Sequence, residues 1–78
     1  MRLTYDPDVD AAYVYLVDQI RPGGVARTVP VDSLPSQMVI NLDFDASDRL
    51  LGVEILDASR VLPPELLGRD GPRAGGSE

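Results

Sequence analysis

Acidic and hydroxyl side chains recur between residues 43 and 54 with part of the spacing of a calcium-binding loop. Counted from Asp43, the third, fifth and twelfth places are Asp45, Ser47 and Glu54, as in an EF-hand. The sixth place, where an EF-hand has glycine, is Asp48, and the flanking residues alternate like strands instead of forming helices. We therefore favour a hairpin turn, and a divalent-metal site at Asp43, Asp45, Ser47 and Glu54 is the weaker alternative.

A second group of carboxylates lies near the N-terminus. Neighbouring carboxylates can make an acid–base pair or a site for a hard cation. Asp6, Asp8 and Asp10 also surround Pro7, and these residue types build turns, because aspartate accepts hydrogen bonds from nearby backbone amides. The turn is the favoured interpretation, and the adjacent tyrosines are then expected to pack on a sheet: Tyr5, Tyr13 and Tyr15.

The composition gives little support for nucleophilic catalysis. The sequence contains no histidine, cysteine or lysine, so its serines lack the usual activating bases. An enzyme is disfavoured, and we predict no catalytic residue and no cofactor. Ser59, or alternatively Asp57, is predicted to cap the C-terminal segment.

The charge balance restricts the classes of partner. Thirteen acidic residues against seven basic ones give a net charge of −6. This balance opposes binding of nucleic acid by the chain itself, and it is compatible with a basic protein partner. No segment approaches the roughly 20 apolar residues of a membrane span, and none has the pattern of a signal peptide, so the expected compartment is the cytoplasm.

The elements that position these residues are mostly strands. From Met38 to Leu56 apolar residues alternate with polar ones on two arms, which is the period of a strand, and the polar run from Ala46 to Arg49 between the arms predicts a β-hairpin. Further strands are predicted at residues 2–5, at 11 or 12 to 17, and at 25–31. Pro30 has no backbone N–H, so the last of these is expected to lie at a sheet edge or to end there.

Two segments suggest helix. Asp8 could begin a helix from Val9 to Leu16, but Tyr13-Val14-Tyr15 favours a strand there. Near the C-terminus, Pro64 suits the first turn of a short helix and Gly68 its end. The fold prediction is therefore mainly β: an antiparallel meander sheet of four or five strands with one short C-terminal helix, with α+β as the alternative. Residues 1–68 are predicted to form one domain, and residues 69–78 a disordered tail.

Two parts of the sequence match a family pattern. Tyr5-Asp6-Pro7…Asp10-Ala11-Ala12-Tyr13-Val14-Tyr15-Leu16 is similar to a YDPxxDALYI opening, and Asp43 to Ser59 is similar to a DxDxxGxLxGIEILxAS close. The chain thus resembles the small prokaryotic proteins of domain-of-unknown-function family 2283, over roughly residues 3–62. Where that family often has glycine in its second motif, this chain has Asp48, and aspartate tolerates the left-handed region better than most residues. The resemblance implies a fold and no established activity.

Three functions are compatible with these observations. The first is a non-catalytic protein-interaction module that forms a homodimer, because a chain this short, without cysteine or histidine, lacks disulfides and the usual ligands of a stabilising metal. Its predicted interface residues are Tyr13, Tyr15, Val25, Arg27 and Val29. The second is an antitoxin-like neutraliser of a basic toxin, which the resemblance motivates because family members sometimes stand beside toxin-like genes. The third is the carboxylate metal binder.

Overall fold

The computed structural model describes residues 1–68, which form strands and short helical segments. The strands are β1 (Arg2–Asp6), β2 (Ala11–Tyr15), β3 (Arg27–Pro30), β4 (Val39–Phe44) and β5 (Leu50–Leu56). A single α-helical turn, α1 (Ala58–Val61), and 3₁₀ turns at Pro35–Gln37 and Pro64–Leu67 complete the described elements. The predicted disordered tail, residues 69–78, lies outside the described residues.

The strands form one antiparallel sheet in the order β1-β2-β5-β4-β3. This confirms the prediction of a mainly β fold with an antiparallel sheet of four or five strands and little helix. The predicted meander order is wrong, because β2 lies beside β5 and not beside β3. Consecutive strands pair in two runs, β1–β2 and β3–β4–β5. The two runs meet where β2 pairs with β5, so the last strand within residues 1–68 lies in the middle of the sheet.

The ambiguous segments are resolved by the strand pairing. Ala11–Tyr15 pairs with strands on both sides, so the helical alternative from Val9 to Leu16 is wrong. The predicted C-terminal helix is a 3₁₀ turn over Pro64–Leu67, and Gly68 ends it in the left-handed region with φ 69°. None of the helical segments within residues 1–68 has the length and apolar character needed to cross a bilayer.

One face of the sheet is apolar. Directly paired residues point to the same side of a sheet, so the strand registers show which residues share this face. Ala12 pairs with Tyr5 and with Ile55, and Ile55 pairs with Ile40. The next row on this face runs across all five strands: Leu3, Val14, Val53, Leu42 and Val29.

The core lies where the C-terminal segment covers this apolar face. Four apolar residues in the described part of the chain are buried: Ala12, Ile55, Ala58 and Leu67. Val61 and Leu62 pack against them from the C-terminal segment, and residues of β1, β2, β4 and β5 pack from the sheet. No large side chain among residues 1–68 is fully buried, so the core is small for the size of the chain.

Part of the apolar face lies outside this core. Leu42 and Val29 end the second row, and Val29 is 39% exposed. Leu16, whose N–H bonds the Leu51 carbonyl at 2.9 Å, continues the β2–β5 pairing on the same face and is 36% exposed. None of these four residues belongs to the cluster around the buried core. We call Leu16, Val29, Leu42 and Leu51 the apolar strip.

Strand β3 is an edge strand, as Pro30 predicts. The Val31 N–H points inward to the Ile40 carbonyl at 2.9 Å. Since successive backbone N–H groups of a strand point to opposite sides, the Pro30 nitrogen points outward, where no hydrogen is needed. The outer side of β3 is therefore a poor template for another strand.

Candidate functional site

The opposite face of the sheet carries hydrogen-bonded polar and aromatic side chains, and we call it the polar face. The alternation of β2, β4 and β5 places Tyr13, Glu54 and Asn41 side by side on it. The neighbouring row contains Tyr15, Gly52, Asp43 and Thr28. The two predicted acidic residues Asp43 and Glu54 therefore share a surface with the two predicted interface tyrosines.

Tyr13 is the central side chain of the polar face. Its ring lies across Gly52, where even an added Cβ would stand 2.5 Å from ring atoms. This path carries the Tyr13 hydroxyl over β5 to the Asp43 carboxylate, to which it donates at 2.6 Å. The Thr28 hydroxyl donates to the other oxygen of the same carboxylate, also at 2.6 Å. Side chains from β2, β4 and β3 are thus linked through a single acceptor.

The ionisation of Tyr13 follows from this position. Burial of the ring raises the pKa of Tyr13 above its ordinary value, and the hydrogen bond to Asp43 raises it further, because a phenolate would face a carboxylate. The phenol therefore stays protonated at neutral pH and acts as a hydrogen-bond donor. It is unsuited to act as a general base.

A guanidinium already lies against a tyrosine on this face. Arg2 places its guanidinium carbon 3.9 Å from the centroid of the Tyr15 ring, within the range of a cation–π contact. One Arg2 nitrogen also donates to the Asp18 carbonyl at 3.0 Å. The Tyr15 ring in turn meets the edge of the Tyr13 ring, with centroids 4.7 Å apart.

A cleft of about 270 Å³ opens beside Tyr13. Ala11, whose side chain is small, leaves the space between the ring and the β1–β2 turn. The walls include two carboxylates and an exposed apolar residue of the turn: Asp6, Glu54 and Val9. Glu54 accepts a hydrogen bond from the Asn41 amide at 3.0 Å, and Asp6 accepts one from the Asp8 backbone N–H at 2.9 Å.

The four residues of the predicted metal alternative are divided between two places. Asp43 and Glu54 lie on the polar face with the partners described above. Asp45 lies in the β4–β5 turn, where its carboxylate accepts from the backbone N–H groups of Ser47 at 2.8 Å and Arg49 at 3.0 Å. Within residues 1–68 the structure shows no group of three or more acidic side chains placed to hold a metal ion.

The β4–β5 turn has the structure that the favoured interpretation describes. The backbone N–H of Arg49, more than that of Ser47, holds the pKa of the Asp45 carboxyl below its usual range. Asp48 adopts φ 62°, in the left-handed region that glycine occupies most easily, and its side chain forms an ion pair with Arg27. The position where the resembled family often has glycine is therefore left-handed in this chain, and Asp48 occupies it.

The acidic residues of the first turn have separate roles. Asp6 makes the predicted Asx turn through its bond from the Asp8 N–H. Asp10 instead reaches the far end of the chain: its carboxylate accepts from the Ser59 N–H at 2.9 Å and from the Ser59 hydroxyl at 2.7 Å. The Tyr5 hydroxyl donates to the same carboxylate at 2.8 Å.

This contact corrects the predicted cap of the C-terminal segment. Asp57 occupies the N-cap position of α1 but makes no side-chain cap bond, and Ser59 lies inside the first turn. The capping oxygens come from Asp10, whose carbonyl also accepts from the Ala58 N–H at 2.9 Å. Sequence reasoning missed this cap because the acceptor and the helix are 49 residues apart.

The predicted interface residues do not form one surface. Tyr13 and Tyr15 lie on the polar face, half-buried. Val29 and Arg27 lie on the opposite side by their alternation in β3, both exposed, and Val25 precedes the strand and is half-buried. Tyr13 and Tyr15 therefore belong to the polar face and Val29 to the apolar strip, whereas Val25 and Arg27 belong to neither.

The two ends of the family pattern meet at the cap. Tyr5 and Asp10 come from the opening motif, and Ala58 and Ser59 from the closing one, so the pattern marks a contact that joins the first hairpin to α1. No curated protein and no solved structure matches the chain. The model of the family described as a protein of unknown function, DUF2283, matches residues 2–59. The chain belongs to the DUF2283 family.

Proposed function

We propose that this protein is a non-catalytic interaction module that pairs with a second copy of itself through the apolar strip. The observation that carries the proposal is the incomplete cover of the apolar face. The C-terminal segment covers the β1–β2–β5 side, whereas Leu42 and Val29 stand outside the core cluster. Val29 and Leu16 are more than a third exposed on the same face.

A second copy of the chain would cover the exposed apolar strip. The buried core contains two alanines among its four residues, so the chain gains little from burial on its own. Moving a large aliphatic side chain from water to a buried site contributes about 1.5–3 kcal/mol, and the strip is already half-buried, so it gains less. Summed over two protomers, this gain opposes the cost of association, so we expect a dimer whose population depends on protein concentration.

The mode of pairing follows from the edge of the sheet. Pairing of two sheets along β3 would need outward N–H donors, and Pro30 lacks one. A face-to-face arrangement about a twofold axis places each strip on its copy without needing edge donors. The polar face then stays open on both protomers.

The test is sedimentation equilibrium over the low to high micromolar range. Val29→Lys places a charge in the strip, and we expect it to weaken dimerisation at least tenfold. The matched control is Val39→Lys, because Val39 is 43% exposed on the opposite face, where it pairs with Leu56. We expect that variant to dimerise as the unmodified chain does. A monomer at every concentration, or equal weakening by both variants, would overturn the proposal.

A further inference from the structure

The cleft beside Tyr13 has the size of a binding site for one side chain. Its volume of about 270 Å³ lies just below the range of roughly 300–1,000 Å³ that is usual for sites of whole small molecules, and it is enough for one side chain. Ala11 and Tyr13 both line it, and Gly52, Tyr15 and Asp43 hold the Tyr13 ring in place. The side of the cleft that Tyr13 forms is therefore fixed.

The charge of the cleft selects a cation. Asp6 and Glu54 both line it, and none of its lining residues is basic. Within residues 1–68 the structure gives each of these carboxylates one hydrogen bond, from the Asp8 N–H to Asp6 Oδ1 and from the Asn41 amide to Glu54 Oε1. The second oxygen of each carboxylate is available to a ligand, and two such acceptors on separate walls suit a donor with several N–H groups.

The aromatic and apolar walls favour arginine over lysine. A guanidinium is planar, stacks on aromatic rings and is less strongly hydrated than an ammonium group. The same face already holds the Arg2 guanidinium against Tyr15 at 3.9 Å. Val9, which is 69% exposed at the lip of the cleft, offers a contact for the aliphatic part of an incoming side chain.

We infer that this cleft binds an arginine side chain presented by a basic protein partner. The net charge of −6 steers a basic partner toward the chain, and the cleft is the place where one of its arginines is recognised. The cleft and the apolar strip lie on opposite faces of the sheet, so a dimer can bind a partner on each protomer. The inference therefore stands or falls independently of self-association.

The experiment is a titration of the full ¹⁵N-labelled chain with Nα-acetyl-arginine-N-methylamide at constant ionic strength. We expect saturable shifts of the amides of Ala11, Tyr13 and Glu54. The neutral citrulline analogue has nearly the same shape without the charge, and we expect no saturable shifts from it. We expect the lysine analogue to bind at least about threefold more weakly than the arginine probe.

Two isosteric variants locate the binding. Glu54→Gln keeps the oxygen that accepts from Asn41, and Asp6→Asn keeps the acceptor of the Asx turn, so both retain the fold while losing one charge. Each is expected to weaken arginine binding roughly three- to tenfold. Asp32→Asn removes the same charge from a carboxylate outside the cleft and is expected to leave binding unchanged. Absence of saturable shifts, equal binding of citrulline or lysine, or equal weakening by Asp32→Asn would overturn the inference.

Discussion

Gly52→Ala tests how Tyr13 is held on the polar face. The new Cβ would stand 2.5–2.6 Å from two ring carbons and the hydroxyl oxygen of Tyr13, distances that non-bonded atoms of this kind do not tolerate. The tip of the ring must therefore move. It cannot move without lengthening the 2.6 Å bond from its hydroxyl to Asp43.

The magnitude follows from the bond that is lost. A hydrogen bond to a charged group contributes about 1.5–3 kcal/mol, and the lower end applies to Tyr13 because the pair is only partly buried. Replacing glycine by alanine also restricts the unfolded chain, which returns about 0.5 kcal/mol. We therefore expect Gly52→Ala to lower the free energy of unfolding by about 1 kcal/mol.

Urea unfolding followed by circular dichroism, at one protein concentration, measures this change. The Tyr13→Phe background is the matched control, because its ring has no hydroxyl and its tip can move freely. In that background we expect Gly52→Ala to be neutral or slightly stabilising. The coupling between the two positions is then about 1.5 kcal/mol. The same loss in both backgrounds, or a gain in the unmodified chain, would show that the path of Tyr13 over Gly52 does not hold its bond to Asp43.

Three further predictions address pH, the cap and the turn. Because folding raises the pKa of Tyr13, protonated Tyr13 stabilises the folded state fully below the ordinary tyrosine pKa of 10.0, and this stabilisation is lost as the pH rises above that value. The urea midpoint should therefore fall above about pH 10, and it should fall less in Tyr13→Phe. Asp10→Ala removes the carboxylate oxygens that cap α1 and should lower the free energy of unfolding by about 2 kcal/mol. Asp10→Asn keeps one acceptor and tolerates φ 54°, so it should lose less than half of that free energy. Similar thermal midpoints for the two variants would contradict the cap. In urea unfolding, Asp48→Gly should be more stable than Asp48→Ala by about 1 kcal/mol, because both variants lose the exposed ion pair with Arg27 and only alanine is strained at φ 62°. Equal urea midpoints would show that the turn relaxes.

Local patterns predicted the strands and the turns. Alternation from Met38 to Leu56 contains β4 and β5, Pro30 places β3 at an edge, and the residues around Pro7 form an Asx turn. These features depend on neighbours in the chain, so the residue types alone determine them.

The arrangement of the strands and the polar face could not be predicted in the same way. Alternation gives the face on which a side chain lies, but it does not say that β5 pairs with β2. The cap of α1 by Asp10 and the bond between Tyr13 and Asp43 both join residues at least 30 positions apart. Gly52, in the middle of a strand, was the one signal of a close approach that the sequence offered.

The central place of β5 has a consequence for synthesis on the ribosome. β2 and β4 both complete their pairing on β5, which is translated after the other four strands of this sheet. The first hairpin and the β3–β4 pair thus have no shared partner until residue 56 has left the exit tunnel. We therefore expect this sheet to fold late and nearly all-or-none, and we expect a stalled nascent chain that ends before β5 to expose unpaired strand edges to chaperones and proteases.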